Sequence, residues 1–331
     1  MSKIVNVTIS DQTKAVTELG MNKILIFTNS ADVDYKEVDE ISASGLDEAS
    51  TGYKLLELIL AQESQDVAIF GVNAVVDSEI KNELNKIASK DFFFIVSDIT
   101  SVAGITALGE WATSAEKICV ASPLVTEAKA NVLSLASTIN SDNVGIYHHA
   151  GSPNGTGQVY LNAAITGRMA PKTVGKSQWA LKSPNSIANE YFELADENEY
   201  IAGNVNVWAE ELGRGLTKGG KTTSGSYLDI TQGKIWLKNK LKSNLSLLFM
   251  NAEKIPYTEE GRLLIINEIQ TVVNVADTQG IILADKTTIT VPHPEDVLTN
   301  DRASRVWKNI VVTSQIQGAV ESVYITYVLT V

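Results

Sequence analysis

The stretch from Gly215 to Thr222 has the residue types and spacing of a phosphate-binding loop. It reads G-L-T-K-G-G-K-T and fits the pattern G-x-x-x-x-G-K-[ST], in which backbone N–H groups and a lysine hold nucleotide phosphates. That chemistry requires a buried strand before the loop and a helix that starts at the lysine. Here Glu210, Glu211 and Arg214 separate the loop from the preceding strand, and T-S-G-S after Thr222 starts a helix poorly. The sequence favours a basic hairpin tip over a nucleotide site.

The other reactive side chains form no familiar catalytic pattern. His148 and His149 end a predicted strand, with no spaced carboxylate or third ligand beside them. Cys119 lies inside an apolar strand, which is typical of an inert core thiol. No G-x-G-x-x-G follows the first strand, and G-S-P-N-G-T-G-Q at 151–158 predicts a turn-rich loop. Since G-x-S-x-G and H-E-x-x-H are also absent, we predict no enzyme activity, no catalytic residue and no cofactor site.

Metal-ligating residues are scarce. The chain has one cysteine and three histidines, His148, His149 and His293, which nearly excludes a Cys/His zinc site and excludes an internal disulfide. The acidic stretch at 32–40 could offer carboxylates to calcium, but it lacks the glycine and the ordered oxygen ligands of an EF-hand loop. We therefore predict a solvated loop there and no metal site.

Composition and charge narrow the class of protein. The 331 residues are 44% apolar and 20% charged, which indicates a globular chain of about two domains. The net charge of −12 argues against nucleic acid or an anionic membrane surface as the main partner. The apolar runs are too short for a spanning helix, and the N-terminus lacks the apolar core of a secretory signal. We therefore expect no membrane insertion.

Strand-like and helix-like segments alternate from residue 23 to about residue 149. Short segments rich in Val, Ile and Phe predict strands at 23–28, 66–72, 91–97, 117–121 and 144–148. The segments between them predict helices at 51–62, 78–90, 101–113 and 126–139. This alternation predicts an α/β layer with a mostly parallel sheet.

The last third of the chain predicts two long helices and then strands. The first helix spans 230–250, with leucines on one stripe. The second spans 257–276, with Thr258 as its N-cap. Strands are predicted at 281–284, 287–291 and 309–313. Between the two halves, the glycine-rich residues 150–228 predict a helix at 159–166, a strand at 204–209 and hairpins.

The predicted fold is α/β, or α+β overall, with five parts. In chain order these are an N-terminal arm strand and linker at 1–20, an α/β domain at 21–150, a glycine-rich connecting region with a hairpin at 151–226, a C-terminal domain of two helices and a β-sheet at 227–318, and a C-terminal arm strand at 319–331.

Apolar and polar residues alternate at both ends of the chain. The apolar members are Val5, Val7 and Ile9 at one end and Val323, Ile325, Tyr327 and Leu329 at the other. A lone strand cannot satisfy its own backbone hydrogen-bond groups, so each must join a sheet. That sheet is either in the same subunit or in a neighbouring one, and the pattern alone favours neither.

Residues 234–242 concentrate positive charge. They carry Lys234, Lys238, Lys240 and Lys242 and no acidic residue, in a chain of net charge −12. A solvated helix face is the ordinary interpretation. The alternative is a surface that docks an acidic partner.

The sequence resembles contractile phage tail sheath proteins, in particular the short sheath family known as a phage domain of unknown function. The strongest segment runs from Y-L-D-I-T-Q-G-K-I-W-L to V-A-D-T-Q-G-I-I, with Asp229, Trp236, K-I-P-Y-T at 254–258, Gly261 and a helix that ends before Gly280. The final segment has Asp301-Arg302, Arg305, a strand, Gly318 and a terminal strand. I-V-N-V-T-I-S-D-Q near the N-terminus resembles the family's arm, and the 204–226 hairpin resembles the one before its long helix. The match spans roughly 200–331 and 1–30.

The resemblance implies a structural function. Sheath proteins form hexameric rings that stack helically around a tail tube, with baseplate and tail terminator proteins at the ends. Their terminal arms add strands to neighbouring subunits, and contraction drives the tube through the host envelope. The resemblance therefore implies a virion tail protein, assembled in the bacterial host cytoplasm, whose two-helix unit is the sheath core domain and whose lysine face is a candidate tube contact. The alternatives are a P-loop enzyme that uses Gly215–Thr222 and another oligomeric tail or baseplate component.

Overall fold

Eight strands in the described residues form one sheet with helices on both faces. The computed structural model describes residues 20–64, 66–151 and 157–324. The strand order is β2-β3-β1-β4-β5-β6-β7-β8. The inner strands, from β3 across to β7, are parallel, whereas β2 and β8 run antiparallel to their neighbours at the two edges. A second sheet pairs β9 with β10.

The strands of the large sheet are β1 (Ile24–Thr28), β2 (Val33–Val38), β3 (Val67–Gly71), β4 (Phe94–Ser97), β5 (Ile118–Ala121), β6 (Val144–His148), β7 (Asn206–Glu211) and β8 (Arg214–Lys218). The helices that cover it are α1 (Thr51–Leu60), α2 (Ile80–Lys86), α3 (Val102–Ser114), α4 (Lys129–Ile139), α5 (Leu161–Met169) and α6 (Leu194–Ala202). The mostly parallel α/β layer predicted from the sequence is confirmed.

The parallel strands divide their side chains between two cores. Ile24 and Ile26 of β1 face the core that holds α1 and α5, whereas Leu25 and Phe27 face the core that holds α2, α3 and α4. All five residues of β1 are buried. A strand covered on both faces is apolar throughout, and this explains why the parallel strands appear in the sequence as short continuous apolar runs.

Some elements of the structure were not predicted from the sequence. The acidic stretch at 32–40, expected to be a solvated loop, contains β2. Its charged side chains Asp34 and Glu37 point to solvent while Val38 is buried, so acidic residues on an edge strand obscured the alternation. Helix α6 was also missed within 150–228. That region supplies β7 and β8, which continue the large sheet.

The C-terminal unit consists of two long helices and a two-stranded sheet. Its elements are α7 (Leu228–Asn251), α8 (Glu259–Gln279), β9 (Ile282–Thr290), α9 (Thr299–Ala303) and β10 (Val311–Ile316). The predicted cap is confirmed, because the Thr258 hydroxyl accepts a hydrogen bond from the Gly261 N–H at 3.3 Å. Gly280 ends α8 with a φ of +83°, a conformation that favours glycine. The two strands predicted at 281–284 and 287–291 are one strand, β9. Its polar residues Asp285 and Lys286, which suggested a break, are exposed to solvent within the strand.

Helix α7 joins this unit to the large sheet. Its first turn is buried, and Leu228 packs over Gly145 of β6, where an added Cβ would lie 3.0 Å from the Leu228 Cδ1 atom. Farther along, the Ile281 side chain at the start of β9 packs against Gly233 of α7. These close approaches set the position of the C-terminal unit on the α/β layer.

A buried carboxylate ties three elements together at the carboxyl ends of β1 and β4. Asp98, directly after β4, accepts hydrogen bonds from the Thr28 hydroxyl at 2.6 Å, the Asn29 N–H at 2.9 Å and the Thr51 hydroxyl at 2.6 Å. Thr28 ends β1 and Thr51 begins α1, so one side chain fixes the entry of α1 against two neighbouring strands. Asp98 is only 6% exposed.

We expect Asp98→Ala to lower the free energy of unfolding by about 3 kcal/mol, because it leaves the buried Thr28 hydroxyl and the partly buried Asn29 N–H and Thr51 hydroxyl without their acceptor. Asp98→Asn keeps one acceptor oxygen and should lose less. Urea unfolding measures both. The control is Asp47→Ala, which removes an exposed carboxylate that accepts from the Ala49 N–H. Equal losses for Asp98→Ala and Asp47→Ala would show that the buried network does not stabilise the fold.

Candidate functional site

The stretch Gly215–Thr222 is not the tip of the hairpin. The tip is Leu212 and Gly213, both with positive φ, and residues 214–218 form strand β8 paired with β7. A two-residue turn of this kind matches the twist of the strands that it joins. The expectation of a basic hairpin tip is therefore wrong, since the turn lies earlier and Thr217 is a buried strand residue.

The backbone donors that a phosphate would need are engaged by the protein itself. The Lys221 N–H donates to Asn206 Oδ1 at 2.7 Å, the Thr222 N–H to the Ser226 carbonyl at 2.8 Å, and the Thr223 N–H to the Val144 carbonyl at 2.8 Å. The next helix, α7, begins only at Leu228. The N–H groups of the lysine and threonine are therefore not available to a phosphate, and no helix N-terminus adjoins the segment.

The two adjacent histidines are interior residues. The His148 ring packs on Phe192 and Tyr200, with centroid distances of 5.2 Å to each, and burial lowers its pKa to about 4. The pKa of His149 is also lowered by burial; its Nε2 lies 2.9 Å from the Ala188 carbonyl oxygen, and its Nδ1 accepts from the Gly151 N–H at 3.0 Å. Burial raises the pKa of the Cys119 thiol to about 12, so this thiol is unreactive at neutral pH.

One group of metal-ligating side chains occurs in the part of the chain that the structure describes. Glu259, His293 and Glu295 bring their ligand atoms within 4.8 Å of one another, and all three are exposed. The Arg262 guanidinium also binds Glu259, at 3.1 Å, and its positive charge opposes a cation there. This group could not be predicted from spacing, because Glu259 is 34 residues before His293 along the chain.

The two sheets differ in how their edges are protected. In the large sheet, edge strand β2 carries charged side chains, and edge strand β8 is covered by the segment at 181–182 through the pair Leu181 N–H to Thr217 O and Thr217 N–H to Lys182 O, each 2.7 Å. The two-stranded sheet pairs β9 only with β10 among the described residues. Val311 and Ile316 of β10 are 54% and 44% exposed. This sheet therefore offers open edges to another strand.

The four lysines of α7 divide into two pairs. Lys234 lies 3.9 Å from a carboxylate oxygen of Asp142, and Lys238 forms an ion pair with Glu116. Lys240 and Lys242 instead line a groove on another part of the helix. Residues 234–242 contain no acidic residue, but in the folded chain two carboxylates of the α/β layer lie beside them.

Most of the predicted terminal strands lie outside the described residues. This applies to Val5, Val7 and Ile9 and to Ile325, Tyr327 and Leu329. The exception is Val323, which is 74% exposed and belongs to no strand of the described chain; its neighbour Tyr324 is 97% exposed.

The C-terminal part of the chain is similar in sequence to tail sheath proteins. Residues 228–291, which contain α7, α8 and β9, match the family described as E217 tail sheath protein gp31-like, C-terminal domain. The match confirms the resemblance to tail sheath proteins that this same segment carries. No curated protein sequence matches the chain.

Two solved structures share the fold. A chain in the cryo-EM structure of the anti-feeding prophage baseplate is 14% identical, with a TM-score of 0.70 and coverage of 100% of this chain and 99% of that one. The sheath tail protein from Desulfitobacterium hafniense, solved by crystallography, is 10% identical, with a TM-score of 0.63 and coverage of 88% and 93%. The combination of an α/β layer with a two-helix and β-strand unit is thus the fold of sheath proteins. None of the described helices is both long and apolar enough to cross a membrane.

We expect acid to destabilise the fold through His148. Its pKa of about 4 lies below the ordinary value of 6.5, so the unfolded chain binds the proton more readily. The stability that the neutral ring provides is complete above pH 6.5 and falls as the pH drops towards 4. The loss at pH 5 is about 2 kcal/mol from this residue.

Urea unfolding at pH 7.5 and pH 5 measures this effect, and His148→Leu should reduce the difference between the two pH values. His293→Gln, which alters an exposed histidine, is the control and should leave the difference unchanged. If His148→Leu shows the same pH dependence as the unaltered protein, the ring accepts a proton in the folded state and this account of its environment is wrong.

Proposed function

We propose that this chain is the structural subunit of a contractile tail sheath. It polymerises as stacked hexameric rings around a tail tube and contracts to drive the tube through the host cell envelope. Its partners are further copies of itself, the tail tube protein and the baseplate and tail terminator proteins, and its place is the virion tail, assembled in the bacterial cytoplasm. It works by repacking subunits and not by catalysis, without a cofactor.

The observation that carries this proposal is the open two-stranded sheet, whose strand β9 belongs to the segment that matches the sheath family. A two-stranded antiparallel sheet has two edges at which alternate backbone groups point away from the pair. On β9 the Ala284 N–H already donates to Asp277 Oδ1 at 2.9 Å. The exposed apolar side chains of β10 would be covered by a further strand. A neighbouring subunit that adds a strand supplies both the hydrogen bonds and the cover.

The terminal segments of the chain are the strands proposed to fill these edges. Residues 3–9 and 319–331 alternate apolar and polar side chains, so each would present one face to a sheet and one to solvent. Residues 11–18, most of which are polar, would act as a tether that keeps subunits linked while they rotate. Main-chain pairing of this kind resists force along the sheath and survives a change in subunit packing.

Removal of either arm should abolish polymerisation and leave the core folded. We expect chains lacking residues 1–10, or residues 319–331, to be soluble, with an unchanged circular dichroism spectrum, because the buried cores lie within the described residues. Electron microscopy should show no cylinders from either truncated chain under conditions in which the full chain forms them.

The matched control replaces the arm sequence without shortening it. Serine at Val5, Val7 and Ile9 keeps the length but removes the apolar face, and it should act like the deletion. Cylinders of normal length from the truncated chains would show that the arms do not link neighbouring subunits. Failure of the C-terminal truncation to fold would show that residues 319–331 complete the subunit's own core.

The lysine face of α7 is the proposed tube contact. Lys234, Lys238, Lys240 and Lys242 would meet acidic groups of the tube in the extended state. Lys234 and Lys238 have exposed side chains, at 55% and 60%, and their pairs with Asp142 and Glu116 are surface ion pairs worth about 0–1 kcal/mol each. Many such contacts along a sheath would hold it on the tube, and each is weak enough to break during contraction.

Lys234→Glu combined with Lys238→Glu should hinder assembly on tubes and spare tube-free polymers. The reason is that reversed charges repel an acidic tube surface but leave the sheet edges unchanged. Sheath length on purified tubes, counted by electron microscopy at several salt concentrations, measures the effect. The control is Lys81→Glu with Lys86→Glu, which also breaks two exposed ion pairs but lies on α2. Normal sheath length for the α7 variant would show that Lys234 and Lys238 do not contact the tube.

A baseplate component is the second candidate, and the anti-feeding prophage chain, which aligns along its whole length, favours it. The two candidates differ in the form of the polymer. A sheath subunit extends into long striated cylinders, whereas a baseplate component would stop at a single ring.

A further inference from the structure

A groove of about 480 Å³ lies between α7 and the α/β layer. One wall is the face of α7 from Trp236 to Ser246, and the other is formed by residues 20–22 and 171–174. The lining mixes apolar side chains, such as Met21 and Trp236, with polar and basic ones.

The described chain begins in this groove. Gly20 is one of the lining residues, so residue 19 is attached at the groove itself. The five residues before Gly20 read A-V-T-E-L and combine two apolar side chains, Val16 and Leu19, with one acid, Glu18. We infer that this groove binds residues 15–19 of the same chain, in an extended conformation, as the dock from which the N-terminal arm leaves the subunit.

The dimensions of the groove and the segment agree. Ten steps of helix from Trp236 to Ser246 span about 15 Å at roughly 1.5 Å per residue. Five extended residues span about 16 Å at roughly 3.3 Å each. The segment 15–19 is therefore long enough to follow the whole helical wall.

The polar atoms of the groove suit an extended backbone. Ser243 Oγ and Gln279 Oε1 both belong to lining residues, and each is buried with no hydrogen-bond partner among the described residues. Buried polar atoms are rarely left unpaired. A peptide in the groove presents N–H and C=O groups along its length, and these would bind both atoms while Leu19 and Val16 cover the apolar lining.

The segment and the groove carry charges of opposite sign. Lys240 and Lys242 line the groove, and Glu18 is two residues before Gly20. With the segment bound along α7, the Glu18 carboxylate would face these lysine side chains. With Lys240 and Lys242 facing the segment, the proposed tube contact narrows from four lysines to Lys234 and Lys238, whose surface ion pairs are with the α/β layer.

Binding of residues 15–19 in the groove would shorten the free link between the arm strand and the subunit. With 15–19 bound beside α7, the arm strand at 3–9 would be joined to the subunit through only residues 10–14, and it would leave in one direction instead of sweeping freely. This inference concerns the isolated subunit and does not depend on the proposed sheath function.

Hydrogen exchange of the full-length chain tests the dock. We expect the amides of residues 16–19 to exchange at least tenfold more slowly than those of residues 10–13, at every protein concentration at which the chain is monomeric. Lys240→Glu with Lys242→Glu should remove this protection, and adding Glu18→Lys to that variant should restore it. The matched control is Lys234→Glu with Lys238→Glu, which changes the same charge on the same helix and should keep the protection.

Each other outcome overturns the proposal. Rapid exchange of residues 16–19 in the unaltered chain would show that the segment does not bind. Protection that appears only as concentration rises would show that another copy supplies the segment. Equal loss in both lysine variants, or no restoration by Glu18→Lys, would show that Glu18 does not meet Lys240 and Lys242. The proposed sheath could still assemble in each of these cases, so the two proposals fail separately.

Discussion

The first turn of α7 is buried on the large sheet, and the position of everything after it depends on that contact. Leu228 packs over Gly145, where the missing side chain of glycine lets the helix approach the strand closely. Helix α7 is 24 residues long and packs against α8, and α8 packs against β9 of the two-stranded sheet. The contact of α7 with the α/β layer thus positions α8 and this sheet.

The contrast between these edges connects the fold to assembly. Charged residues on β2 and the segment over β8 keep the large sheet from pairing with another chain. The β9–β10 ribbon carries no comparable cover among the described residues. The proposed strand exchange between subunits would therefore take place at the β9–β10 sheet and not at the large sheet.

The sequence predicts the parallel strands well, because a strand buried on both faces is apolar at every position, as Ile24 to Phe27 show. Edge strand β2 was missed because charged residues interrupt its apolar ones, so that the sequence resembles a solvated loop. The lysine pairs with Asp142 and Glu116 could not be predicted, since their partners lie about a hundred residues away along the chain. The mistaken hairpin tip has a different cause: glycines suggest turns, yet here Leu212 occupies the left-handed turn position.

The most direct test of the central claim is a cryo-EM reconstruction of the polymer at a resolution that traces individual strands. The account predicts that the β9–β10 sheet contains additional strands, and that each belongs to a terminal segment of a neighbouring copy. A polymer in which this sheet keeps only β9 and β10, or gains strands solely from its own chain, would contradict the claim that subunits are joined by shared sheets.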